Sequence, residues 1–374
     1  NWTTIPLNIY MNSSQFIGLY ETFEKHERYL VVQRAATLVN GITTTIVVSF
    51  TLYVMNTSAA NLSHLVKVLM YCNVLFPALL TSVICFLFVP YLLLPYPIAL
   101  NLGPIRFGLV STLLHVIFMF GFGSYACLSI GYSIALNYIT VCHAWFLETT
   151  AFTLTKWLSL IIPTIFLMAL GIHLSYSMLN DTSSTLSMVA VDSRNAIFSE
   201  KFAAIVIHLD IFGLDPILYG SVLLYIGVIA AAVTMLYRVV QRIRAKKNEF
   251  SKTTYRLHLN VVVALVAYCV ILFLQLLLPV MLLVITALFK LAWMNSMPYM
   301  EILLFLPISL FSISTCIMYM VVIRPFRKTV SRLIYRLYET IPPLKSASRI
   351  AAAQEPTMRL AGSTNKFSQS SATK

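Results

Sequence analysis

Few residues in this 374-residue chain could do chemistry, and they are scattered through long apolar runs. His115 and His173 are isolated histidines, Asp215 and Glu301 are isolated acids, and Gln275 stands alone among leucines. Acid–base or nucleophilic catalysis needs partner groups within reach of one another. No Gly-x-Ser-x-Gly, His-Glu-x-x-His or Gly-rich phosphate loop occurs, so the residues do not point to an enzyme. Six cysteines (Cys72, Cys85, Cys127, Cys142, Cys269 and Cys316) lie in or beside apolar segments without a Cys-x-x-Cys pair. They read as small buried residues; no metal, cofactor or disulfide framework is indicated. Isolated polar groups at membrane depth face a bundle interior, where they pair structurally or line a pocket. A mostly apolar pocket suits a small, fairly apolar ligand. His115, Asp215, Tyr219, Gln275 and Glu301 are its candidate lining residues.

The elements that must position them are membrane helices. The chain is 59% hydrophobic and 10% charged, with mean hydropathy +0.83. That is too little charge to cover a soluble surface. A spanning helix takes about 20 apolar residues, and seven such segments occur, at 35–55, 68–94, 109–136, 157–176, 216–237, 259–289 and 300–323. Open strands cannot face lipid, so the expectation is an all-α, seven-transmembrane bundle. Pro77 and Pro279 are natural kink points, and Gly121-Phe122-Gly123 suggests close helix packing in the third span.

Orientation follows from Lys and Arg. With the amino terminus outside, nineteen of the 26 basic residues fall on the inner side and seven outside. Residues 1–34 then form an extracellular segment without a recognisable signal peptide. Residues 324–341 form a surface helix and 342–374 a disordered cytoplasmic tail. Asn1, Asn12 and Asn180 sit in glycosylation sequons on the outer side.

The net charge of +13 gathers at 238–256 and 324–349, which is no nucleic-acid footprint. Arg238, Arg242, Arg244, Lys246 and Lys247 would form a basic face where the fifth span runs into the cytoplasm. That face can be an anchor on anionic membrane lipid, or also a dock for a signalling protein such as a heterotrimeric G protein. After the seventh span, Phe326, Val330, Leu333, Ile334 and Leu337 recur at helical spacing. Arg327, Lys328, Arg332 and Arg336 interleave with them, giving a basic amphipathic helix for the inner leaflet.

Several stretches resemble the nematode seven-transmembrane chemoreceptors, above all serpentine receptor class H and its relatives in classes I and STR. Pro90-Tyr91-Leu92-Leu93-Leu94-Pro95, with Ala99 and Gly103 following, is similar to that family's Pro-aromatic-apolar-Pro hallmark. Thr254-Tyr255-Arg256-Leu257-His258 resembles the opening of its sixth helix. Ser314-Thr315-x-x-Met318 with Arg324-Pro325-Phe326-Arg327 is similar to its closing signature. The resemblance spans roughly residues 25–338. It departs from the pattern at Ala135-Leu136-Asn137-Tyr138, where an acidic–Asn–Arg motif is expected.

The resemblance implies a G-protein-coupled, GPCR-like chemosensory receptor for a small-molecule ligand, in the plasma membrane, that of sensory cilia included. Two rivals stand beside it. A ligand-gated channel of the insect olfactory type also crosses seven times, with its amino terminus inside. A transporter or scaffold would lack ligand-evoked signalling; no internal repeat favours it.

Overall fold

The first helix, α1 (Leu19–Ser58), shows what solvent the chain folds against. Its buried positions include Gln33, Thr37, Asn40, Thr44 and Thr51, while Val31, Val39 and Ile46 are 64–70% exposed. Polar groups face the protein and branched aliphatics face out, the reverse of a helix packed in water. Such a face is stable where hydrocarbon replaces water. The computed structural model describes residues 17–58, 64–93, 98–105, 109–179, 189–206, 216–248, 252–279, 281–282 and 300–340.

The other long helices are α2 (His64–Ser82, prolonged by a π-helical turn Val83–Phe88), α3 (Leu109–Cys142) and α4 (Thr150–Leu179). They are followed by α5 (Pro216–Ala245), α6 (Lys252–Leu272, prolonged by a π-helical turn Phe273–Leu277), α7 (Met300–Val322) and α8 (Arg324–Thr340). Among the described residues five stretches are long and apolar enough to cross a bilayer: Glu27–Ser58, His64–Phe88, Leu114–Cys142, His258–Leu277 and Leu304–Val322. α4 and α5 occupy the two other expected segments. α3 is central, touching α2, α4, α5 and α6, while α7 packs on α1, α2 and α6.

Three features differ from the expected pattern. α1 begins at Leu19 rather than at 35; its 40 residues make a rod about 60 Å long, twice a hydrocarbon core. The added turns carry Glu21, Glu24, Lys25, Glu27 and Arg28, charges that hid the helix from a hydropathy reading. The second helix ends at Phe88 rather than at 94, because Val89 turns into the left-handed region (φ 42°) and the chain becomes a strand. Gly121 and Gly123 mark no close approach: a Cβ would meet nothing at Gly121 and only Leu80 Cδ2, at 3.9 Å, at Gly123.

The strands form a small antiparallel sheet, β1 (Pro90–Leu92), β2 (Ile98–Asn101) and β3 (Ile205–Val206), with Tyr91 opposite Leu100 and Ala99 opposite both Leu92 and Ile205. Together with the added turns of α1 and a one-turn helix, Ala196–Glu200, it encloses a second apolar core. Leu19, Phe23, Tyr91, Leu93, Leu100, Phe198 and Phe202 are buried there, and Phe23 meets Phe198 edge-on at 5.2 Å. This end of the bundle is called the hairpin end below, and the opposite one, carrying α8, the basic end.

Candidate functional site

The hairpin explains the first signature structurally. Gly103 donates its N–H to Phe88 O (3.1 Å) and to Asn101 Oδ1 (2.9 Å), folding the strand exit against the end of α2. A Cβ there would lie 1.8 Å from Leu87 O, so only glycine fits. Val89, a β-branched residue in a region costing about 1–2 kcal/mol, is held by Leu102 N–H on its carbonyl (3.1 Å) and by burial in the apolar core. Beside this core, Arg194 makes a short ion pair with Asp192 (2.7 Å) and lies 4.7 Å from the Tyr20 ring centre. Hydrogen bonding from Arg194 holds the Asp192 carboxyl below its ordinary range.

The candidate pocket residues His115 and Gln275 each meet a residue of a neighbouring helix rather than one another. His115 is buried on α3 against the π-helical turn of α2, its ring 6.3 Å from that of Phe88, and its Nδ1 has no hydrogen-bond partner. Gln275 lies in the π-helical turn of α6, where such turns often mark functional sites. Its Nε2 donates to Ser314 Oγ on α7 (2.8 Å), and its Oε1 is buried without a partner. No hydrogen bond joins His115 to Gln275 among the described residues. Tyr219 and Glu301 lie in the first turns of α5 and α7. Asp215, Asn1, Asn12 and Asn180, and the segment 342–374, lie outside the described residues.

A polar hub toward the basic end was missed in the sequence. Asn73 Nδ2 on α2 donates to Ser133 Oγ on α3 and to Tyr319 OH on α7, both at 2.8 Å. Tyr268 OH on α6 donates to the Asn73 carbonyl, also at 2.8 Å. That carbonyl would take the N–H of residue 77, and residue 77 is proline. Tyr268 therefore satisfies an acceptor that Pro77 leaves open. The signal was present as a proline four residues after a polar residue in an apolar helix, but which helix would answer it is a tertiary fact.

At the basic end, α5 runs on past the apolar span. Val239 and Ile243 are buried against Val262 of α6, with Tyr138 and Val141 of α3 alongside, while Arg238, Arg242, Arg244 and Lys247 are exposed. Lys246 is half-buried. On α8 the expected apolar stripe is divided. Phe326, Val330 and Leu333 pack on the bundle core, and Thr329 Oγ1 pairs with Ser58 Oγ at 2.6 Å. Ile334 and Tyr335 stay exposed among Arg327, Lys328, Arg332 and Arg336. The two basic faces are thus presented on one end of the molecule by anchored helices.

A comparison with protein families matches residues 32–336 to the serpentine-type seven-transmembrane GPCR chemoreceptors of class Srh. A comparison with curated proteins finds no match. The matched stretch takes in α2 to α7 entire, the hairpin carrying the Pro-aromatic-apolar-Pro signature, and most of α1 and α8. With more than half of its length matched, the chain belongs to the Srh family of serpentine seven-transmembrane chemoreceptors, a multi-pass membrane protein of GPCR-like fold.

Proposed function

We propose that the chain is a plasma-membrane chemosensory receptor that binds a neutral small molecule toward the hairpin end and signals to a heterotrimeric G protein at the basic end. The amino terminus is extracellular and α8 cytoplasmic, in line with nineteen of 26 basic residues on the inner side. The observation that carries the reading is the pair of anchored basic faces: Arg238, Arg242 and Arg244 stand out from a helix whose other side is locked by Val239 and Ile243.

The ligand chemistry follows from His115 and Gln275. His115 is buried and Gln275 half-buried, each with a buried polar atom that has no partner. A neutral, mostly apolar molecule with a hydrogen-bond donor for Gln275 Oε1 suits them, since a buried acceptor left open costs about 1–3 kcal/mol. Binding would bias a two-state bundle and change how the basic end is displayed.

The test is a ligand panel applied to cells expressing the full chain with tags at both termini. The reading expects G-protein activation by some ligands. It also expects an amino-terminal tag reached on intact cells and a carboxy-terminal tag reached only after permeabilisation. Neutralising Arg238, Arg242, Arg244, Lys246 and Lys247 together should abolish signalling at unchanged surface level; full signalling would remove that face from the mechanism. Ligand-evoked current without a G protein would favour the channel instead.

A further inference from the structure

A polar junction lies where α1, α2 and α7 meet, midway along the bundle. Thr51 Oγ1 approaches Met320 Sδ (3.9 Å) and Ser58 Oγ approaches Thr329 Oγ1 (2.6 Å), at sequence offsets of 269 and 271. α1 and the α7–α8 stretch therefore run side by side in the same direction, which two turns earlier brings Thr44 to about the level of Ser312. α2 closes the third side. Thr81 Oγ1 donates to Ser309 O (3.4 Å), and at Gly41 a Cβ would lie only 2.8 Å from that of Cys85, at the end of α2.

Three polar atoms in this junction have no hydrogen-bond partner: Asn40 Nδ2, Thr44 Oγ1 and Ser312 Oγ. All three residues are more than nine-tenths buried. Cys85 lies beside Asn40, and Cys316 beside Ser312 and Thr51, but a thiol is a weak partner for an amide or a hydroxyl.

The hydroxyls are conspicuous because a local remedy exists and is not taken. A threonine in a helix ordinarily donates to the carbonyl four residues back, as Thr22, Thr37, Thr43, Thr45, Thr51 and Thr57 all do in α1. Thr44 does not. In α7, Ser309 and Thr315 bond back to their own helix, and Ser312 between them does not. Two hydroxyls that leave their own carbonyls unbonded on neighbouring helices, with an amide N–H one turn before Thr44, mark a place for a third molecule. The groups are neutral and mixed in donor and acceptor character, which selects water rather than an ion; a buried water takes two to four such partners.

We propose that the junction is a hydration site, in which an ordered water accepts from Asn40 Nδ2 and donates to Thr44 Oγ1 and Ser312 Oγ, bridging α1 to α7. The site does not rest on the ligand reading. Its test uses apolar isosteres, because the sign of their effect differs with and without water. If water bridges the groups, Thr44→Val and Ser312→Ala in the full chain in lipid nanodiscs each lower the thermal midpoint by about 2 °C. The double variant then loses less than the sum, since both remove one shared molecule. If the space is dry, removing an unsatisfied hydroxyl is neutral or stabilising, so an unchanged or raised midpoint for both single variants overturns the proposal. X-ray radiolysis in ¹⁸O-water gives a second readout. Label should enter the buried Cys85 or Cys316 thiol in the parent chain and be lost in the double variant; no label in the parent chain also overturns it.

Discussion

Tyr268→Phe deletes one oxygen and isolates one physical claim. The phenol donates to the Asn73 carbonyl at 2.8 Å, and Tyr268 is 1% exposed, so no water can replace it from outside. Removing the donor strands a buried carbonyl, which costs about 1–3 kcal/mol in soluble proteins. Interhelical hydrogen bonds in membranes average about 0.6 kcal/mol and reach about 1.7, because groups freed in lipid usually find another partner. Here the natural alternative, the N–H of residue 77, does not exist, since that residue is proline. The upper end, about 1.5 kcal/mol, or roughly tenfold in the folding equilibrium, is therefore expected. Pro77→Ala supplies the missing N–H. In a double-mutant cycle, Tyr268→Phe should cost about 1 kcal/mol less in the Pro77→Ala background than in the parent chain. Reversible unfolding of the purified receptor in mixed micelles measures all four corners. Equal costs of Tyr268→Phe in both backgrounds would show that the phenol is not answering the proline, and the account of the hub would fail.

Gly103→Ala should abolish surface expression, because its Cβ would fall 1.8 Å from backbone oxygen Leu87 O, which cannot move aside; flow cytometry with an amino-terminal tag reads it. Gln275→Leu separates pairing from ligand binding. Ser314 can bond back to its helix, so stability should hold, while a ligand that donates to Gln275 Oε1 should need about tenfold higher concentration. Asp192, whose carboxyl is held low by Arg194, favours the fold when ionised, so its contribution is present above its ordinary range near pH 4 and fades as pH falls through the lowered value. The thermal midpoints of the parent chain and Asp192→Asn should thus differ at neutral pH and converge in acid once the carboxyl is protonated in the fold; a constant gap would contradict the pairing.

How much was legible depended on the range of the interaction. Apolar runs of about 20 residues are a one-dimensional signal, and α3, α4 and α7 lie close to where hydropathy places them. The charged start of α1 was invisible because its turns face the hairpin core through Leu19, Phe23 and Leu30, three residues too sparse to register. The stretch Pro90–Leu92 looked like helix because it is apolar, yet it is strand, where Gly103 and Asn101 draw the chain back on α2. His115 and Gln275 were found as lone polar residues, and their neighbours were not, since Phe88 and Ser314 arrive from other helices.

Whether α8 is held by lipid or by the bundle decides how rigid the basic end is. A purely interfacial helix would be held by its charges, and 1 M salt, with a screening length near 3 Å, would loosen it. α8 instead places Phe326, fully buried, with Val330 and Leu333 in the bundle core, and ties Thr329 to Ser58. Truncating a buried phenylalanine costs about 3–5 kcal/mol, more than exposed charges on anionic lipid would recover at about 1 kcal/mol each once screened. A spin label at Ser331 should therefore keep its mobility between low and 1 M salt in anionic nanodiscs. Phe326→Ala should mobilise it, and more so in high salt. A label freed by salt alone in the parent chain would mean that lipid, not packing, sets the position of α8.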